Sequence, residues 1–415
     1  MSASSPALSR FLRYVTFDTQ SSFEGDAAPS TEKQLRLAEA LTAELRTLGL
    51  ADARVGEGGV VYAHLAATPG CESAPTIGFI AHIDTSPDAP GAGVKPQILT
   101  VTDDDPVLNP ETDLRFDIAQ FPDILKYKGE DVVFTDGTTL LGADDKAGIA
   151  AIMTMLERLA ADPSIPHARI AVAFTPDEEI GRGTEHFDLE TFGAAYATTF
   201  DGGELGELQF ENFNAATAVV RIEGVGVHPG HAKDKMVNAI RIAAAFIDDL
   251  SIMPSPEETD GHVGFIHPNH LTSSVTEAVI TILIRDHDRE KFEGKKEGLQ
   301  ELIKRYAAEH PKARFMLDIE DSYANMRTYI ERTPKVLDIV RTAFADAGVT
   351  PREIPIRGGT DGARLSEMGL PCPNIFTGGL NFHGVHECLP VRSLDKAVDV
   401  AVALAVRSAD VTSLV

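Results

Sequence analysis

Cysteine is scarce in this chain of 415 residues, which carries only Cys71, Cys372 and Cys388. Three scattered thiols are too few for a disulfide framework or a cysteine-rich zinc site, so they read as reduced side chains. Long apolar runs are missing as well. No stretch approaches the ~18 uninterrupted apolar residues of a membrane span, and the opening MSASSPALSRFLRYVTFDTQ lacks the apolar core of a secretory signal. Cytoplasm is the expected compartment. Basic residues number 37 against 63 acidic ones, and the formal charge of -26 repels phosphate backbones and anionic lipid. No nucleic acid and no membrane partner is expected. There is also no G-x-S-x-G, no P-loop and no credible Cys-His pairing, which argues against serine, nucleotide-dependent and cysteine chemistry.

The composition, 43% apolar and 24% charged, is that of a globular protein, and the length favours two domains, one of them inserted in the other. An amphipathic helix is expected from Thr31 to Leu48, with Thr31 and Gln34 as a capping box and Gly49 as the stop. Strand patterns at Val60 to Leu65, Thr76 to Ala81 and Arg169 to Thr175, with a helical pattern at Lys146 to Leu159, indicate an α/β sheet. Between Ala92 and Gly137 a proline-bearing, aspartate-rich stretch reads as a surface excursion without regular fold. From about Phe210 the pattern changes to an α+β unit: strands at Ala216 to Glu223, Ala278 to Arg285 and Arg314 to Ile319, helices at Val237 to Leu250 and Arg289 to His310. A helix at Pro334 to Ala347, short strands at Glu353 to Ile356 and Asn374 to Phe376, and a helix at Leu394 to Val406 then resume the first domain. The expected division is 1–210, 211–327 and 328–415.

Five segments carry residues able to do chemistry. His82 follows a strand, and Asp84, two residues on, faces the same way and can accept the second ring N–H of a metal-binding imidazole. Asp144 and Asp145 open a helix, where they either cap it or place Asp144 inward as a bridging carboxylate. Asp177, Glu178 and Glu179 follow another strand. Such a charge run is a solvated turn, or one glutamate binds a cation while its neighbour serves as general base. Asp201 precedes two glycines, and His383 lies in the glycine-bearing run Gly378 to Glu387. Together the segments offer His, Asp and Glu as N/O ligands, a set suited to zinc, cobalt or manganese.

These segments resemble the M20 metallopeptidases, and among them the tripeptide-cleaving aminopeptidases. The resemblance rests on AHIDTSPD at 81 to 88, TLLGADDKAGIA at 139 to 150, AFTPDEEIG at 173 to 181, DGGELGELQFENFNAA at 201 to 216, IRGGTDGA at 356 to 363 and FHGVHE at 382 to 387. It implies a zinc-peptidase-like α/β catalytic domain, a mixed sheet flanked by helices, with an inserted smaller α+β lid or dimerisation domain. It further implies two divalent ions, most often zinc with cobalt or manganese as alternatives. His82, Asp144 and Asp201 would hold one; Asp144, Glu179 and His383 the other. Glu178 would be the general base and Asp84 would orient His82. His228, in VHPGHAK, would stabilise the oxyanion, and Arg285 and Arg357 would grip the substrate. Tripeptides are the implied substrates and a homodimer through the inserted domain the implied assembly. Another M20 hydrolase, or a non-catalytic metal-binding protein, is the alternative. Cys388 replaces an aromatic of the family, and Leu380 and Phe382 stand where tyrosines are common, departures that would alter the pocket wall or the pH sensitivity.

Overall fold

The computed structural model describes residues 5–250 and 253–414. The chain divides into two compact units: one takes in the residues up to Phe210, Thr328–Ile354 and those from Thr360 onward, the other Glu211–Arg327 and Pro355–Gly359. Among the described residues no helix is long and apolar enough to cross a membrane.

The first unit is built on an eight-stranded mixed sheet. Its spatial order is Arg54–Val55, Val61–Leu65, Ile170–Thr175, Ile77–His82, Tyr196–Gly202, Asn374–Phe376, Glu207–Gln209 and Arg352–Glu353. The strands from Ile170–Thr175 through Asn374–Phe376 run parallel, and Val61–Leu65 and Glu207–Gln209 run antiparallel beside them. Ile77–His82 and Ile170–Thr175 are buried at every residue, which is why the sequence shows continuous apolar runs there rather than alternation. The pleat sorts their side chains. Ile77, Phe79, Val172 and Phe174 join a core with the helices Pro6–Tyr14, Ala143–Ala161, Lys335–Asp346 and Val391–Ser408. Ile80, Ala171 and Ala173 join another with Phe187, Phe192 and Leu365.

The structure corrects several expectations. Thr31 and Gln34 form no capping box: Thr31 Oγ1 donates to Gln20 O, and the Gln34 amide donates to the Asp177 carboxylate at 2.6 Å, so both are spent tying loops together. The helix Gln34–Thr47 does end before Gly49, whose φ is +97. The excursion is folded. Gln97–Thr100, Asp131–Phe134 and Leu389–Pro390 make a three-stranded sheet, and Val107–Asn109 pairs with Leu114–Arg115. Phe116, Tyr127, Val132 and Phe134 bury a small core there that includes Leu380 and Cys388. Two residues expected to shape a pocket wall are therefore core residues. Strands this short leave too few alternations to register as a period.

The second unit is a four-stranded antiparallel sheet in the order Phe265–Ser273, Glu277–Asp286, Asn214–Glu223, Arg314–Tyr323. Phe246, Phe292, Leu299 and Tyr306, from the helices Ala239–Leu250 and Arg289–Glu309, pack on Val220, Ile280 and Ile282. The edge strand Phe265–Ser273 escapes the sequence reading because Pro268 and His270 break its pattern, and the register shifts between those two residues. The domain limits also need one change. Pro355–Gly359, given to the resumed first domain, belongs here because Ile356 N donates to Glu211 O, His287 Nε2 meets Ile356 O, and Arg357 donates to Gly261 O and Val263 O. The expected strand Glu353 to Ile356 is correspondingly cut to Arg352–Glu353.

Candidate active site

Parallel strands deliver their ligands at their C-terminal ends. His82 ends Ile77–His82 and pairs in register with Thr175, the last residue before the loop of Glu178 and Glu179. Asp201 is the penultimate residue of Tyr196–Gly202. Asp144 comes from the turn that opens the helix Ala143–Ala161, and His383 from a loop near the C-terminus.

Asp144 lies between the two imidazoles. Its Oδ1 is 2.8 Å from His82 Nε2 and its Oδ2 3.4 Å from His383 Nε2. Asp201 Oδ1 is 3.4 Å from His82 Nε2, and Glu179 Oε2 2.8 Å from His383 Nε2. Each histidine Nε2 thus faces Asp144 and one further carboxylate. Asp145, by contrast, turns both oxygens to the main chain, accepting from His82 N and Gly148 N at 3.1 Å each. The two aspartates divide the alternatives left by the sequence: Asp145 caps the helix and Asp144 points inward. The ligand atoms of His82, Asp144 and Glu179 lie within 4.8 Å of one another, as do those of His82, Asp145 and Asp201. In the latter group Asp145 is already committed to backbone, so Asp144 is the better donor.

Asp84 is fully buried beneath the cluster. Its Oδ1 meets His82 Nδ1 at 3.2 Å and accepts from Glu178 N at 3.0 Å, while Oδ2 accepts from Glu179 N at 3.2 Å. One carboxylate therefore orients the imidazole and fixes the glutamate turn. The supporting roles of three residues escape the sequence reading. Asp88 Oδ2 lies 3.2 Å from His383 Nδ1, the counterpart of Asp84. Asp177, with φ +60, holds the glutamate loop by accepting from Ser30 N and the Gln34 amide, each at 2.6 Å. Glu387 accepts three main-chain N–H groups from the Asp144 turn. Asp88, Asp177 and Glu387 all lie inside motifs already quoted, so their carboxylates are the available signal.

Crowding shows in the titration of the cluster. Burial disfavours a charged His82, but Asp144, Asp201 and Asp84 outweigh it and hold its pKa well above the ordinary value. Asp144 and Glu179 raise His383 to about 11. Burial tends to raise Asp144 too, yet the two histidines keep it below the usual carboxylate range. Burial and Asp144 push Glu179 up to about 8 and Asp201 to about 6, and burial and Asp201 push Glu178 well upward. The protons stand where a cation would offset the same charge. Glu179 Oε1 is buried with no hydrogen-bond partner, and a cation would satisfy such an oxygen. Two imidazoles and several carboxylates are also the donor set of metal-dependent hydrolases.

His228, Arg285 and Arg357 belong to the second unit, while the cluster is made of first-unit residues alone. His228 is exposed and its Nδ1 accepts from Gly230 N at 3.1 Å. Arg285 donates to Ala216 O and Ile284 O at 2.9 Å and stacks over Tyr323. Arg357 donates to Gly261 O and Val263 O at 3.0 Å and to Thr259 Oγ1 at 2.7 Å, over the rings of Phe213 and Phe265. Both arginines are therefore braced within their own unit.

Residues 136–407 match the model of peptidase family M20/M25/M40, and the chain belongs to that family of hydrolases. It is 50% identical over 395 residues to Peptidase T of Parabacteroides distasonis, covering 95% of this chain and 97% of that one. The fold is shared with the crystal structure of aminopeptidase PepT from Bacillus cereus, with a TM-score of 0.76 and 24% identity over 97% of this chain and 98% of that one. It is shared likewise with a tripeptidase from Staphylococcus aureus, at 0.77 and 23% over 98% of each.

Proposed function

We propose that the cluster holds two divalent metal ions, zinc with cobalt or manganese as alternatives, and that the chain is an aminopeptidase releasing the N-terminal residue of tripeptides. One observation supports the two-ion reading: the two oxygens of Asp144 face the Nε2 atoms of different histidines, and each Nε2 has one further carboxylate beside it. His82, Asp144 and Asp201 hold one ion; Asp144, Glu179 and His383 hold the other. Bound there, the ions supply Lewis-acid polarisation of a peptide carbonyl and a water of lowered pKa.

The chain's own residues do the rest. Glu178, kept in place by the Asp84 bond to its main-chain N–H, takes a proton from the attacking water and delivers it to the leaving amine. Asp84 fixes the His82 tautomer. His228 is assigned the hydrogen bond that strengthens as charge develops on the carbonyl oxygen, and Arg285 and Arg357 the grip on the substrate backbone or carboxylate. The tripeptide preference is supported by the likeness along almost the whole chain to a protein named Peptidase T and by the fold shared with a tripeptidase.

The test is a panel of di-, tri- and tetrapeptides with free and blocked N-termini, given to metal-stripped protein reloaded with one metal at a time. Metal-dependent release of the first residue, fastest from unblocked tripeptides, is the expected result. Hydrolysis that survives stripping would remove the metal reading, and equal cleavage of blocked peptides would remove the aminopeptidase reading.

A further inference from the structure

Glu387 stands four residues after His383, and its carboxylate is held by main-chain donors. The residue is 1% exposed. Oε2 accepts from Leu141 N at 2.7 Å and from Gly142 N at 2.8 Å, and Oε1 accepts from Asp144 N at 3.0 Å. Those amides form the turn that aims Asp144 at both imidazoles. A buried carboxylate with three N–H partners holds its surroundings firmly, because losing any partner leaves charge unsolvated in a place water does not reach.

Glu387 is also part of the hairpin that carries His383. Leu380 and Cys388 exchange N–H···O bonds of 2.9 and 3.1 Å at its base, and Asn381 Nδ2 donates to His386 O at 3.2 Å across it. At its tip His383 adopts φ +63, a backbone conformation that needs support from its surroundings. The base also abuts the Asp144 turn: a Cβ added to Gly379 would come within 3.3 Å of Ala143 Cβ. His82 and Asp201, by contrast, sit on sheet strands whose positions the ladder sets without help from this hairpin.

We propose that Glu387 is a positioning residue that clamps the Asp144 turn to the His383 hairpin and thereby sets the hold on the ion between Asp144, Glu179 and His383. The inference rests on the two-ion reading and goes further in predicting unequal dependence: the ion at His82, Asp144 and Asp201 relies on Glu387 much less. Glu387→Gln keeps the volume but puts an amide NH2 where one carboxylate oxygen receives N–H groups. Glu387→Asp keeps both acceptor oxygens on a shorter arm.

Wild type, Glu387→Gln and Glu387→Asp are stripped of metal and titrated with zinc against a chromophoric chelator, with thermal midpoints recorded for each. The expected result is two ions in the wild type and, in Glu387→Gln, a loss of roughly 10- to 100-fold in affinity for one ion with a much smaller loss at the other. Added zinc should restore turnover of Glu387→Gln with KM close to wild type, and Glu387→Asp should fall between the two. Glu387→Gln that binds both ions as tightly as wild type overturns the inference. So does a parallel loss of both ions tracking a lowered thermal midpoint, which marks a merely structural residue. A wild type that takes up fewer than two ions instead overturns the two-ion reading beneath it.

Discussion

The two histidines of the cluster, proposed to hold one ion each, stand on different foundations. His82 ends a fully buried strand, with its side chain 2% exposed and Asp84 wholly buried behind it. His383 rides a hairpin tip, its side chain 41% exposed and its supporting Asp88 64% exposed. The first position comes with the sheet. The second is assembled from loops that meet across the chain, and it depends on the Asp177 and Glu387 anchors and on the small core under the hairpin. Two ions of equal coordination should therefore differ in how readily they leave.

The largest effect expected is one that touches neither foundation. Glu178→Ala should lower turnover by at least ~10²- to 10⁴-fold while metal content stays at two ions, as read by kinetics and elemental analysis together. An unchanged rate would remove the proposed base. Next, His82→Ala and His383→Ala should separate the two sides. The former is expected to lose its ion and lower the thermal midpoint more; the latter should lose an ion with a smaller change in midpoint, and equal midpoints would erase the contrast.

A finer comparison sets Asp84→Asn against Asp88→Asn. Asp84 supports His82 and both glutamate amides from a buried position, so its loss should weaken metal binding by ~10- to 100-fold. Asp88 is mostly exposed and screened by water, and its loss should cost less. Zinc competition titrations decide the order.

The smallest effect concerns Asp361, buried on the His82 side with Thr175 Oγ1 donating to it at 2.7 Å. Burial first, opposed by that hydrogen bond, pushes its pKa up to about 7. A raised folded value means that its contribution to stability is present below the ordinary carboxylate pKa and fades as pH rises through about 7. Asp361→Asn should accordingly show a shallower fall in denaturation midpoint between pH 4 and pH 8 than wild type, to about the extent that this one group contributes. Identical pH profiles would show that Asp361 does not titrate there.

What the sequence makes legible follows the same division. His82, Asp144, Glu179 and Asp201 stand at strand ends or a helix start, where local pattern and ligand chemistry coincide, and the structure gathers them with His383. The supports of the second side are harder to read, because Asp177 and Glu387 act through main-chain hydrogen bonds to residues up to 246 positions away. No spacing rule encodes such a contact. Leu380 and Cys388 look like pocket residues beside a ligand, but the strands of 92–137 that bury them are too short to announce themselves. Phe265–Ser273 is hidden by its own proline, and Pro355–Gly359 changes unit because its partners, Glu211 and Gly261, are distant in sequence.

The central claim is that Asp144 is shared by two ions. A crystal structure of the zinc-loaded protein with anomalous scattering at the zinc edge tests it directly. The prediction is two peaks ~3.5 to 4 Å apart with one Asp144 oxygen toward each, His82 on one side and His383 on the other. A single peak, or two peaks of which Asp144 touches only one, would contradict it.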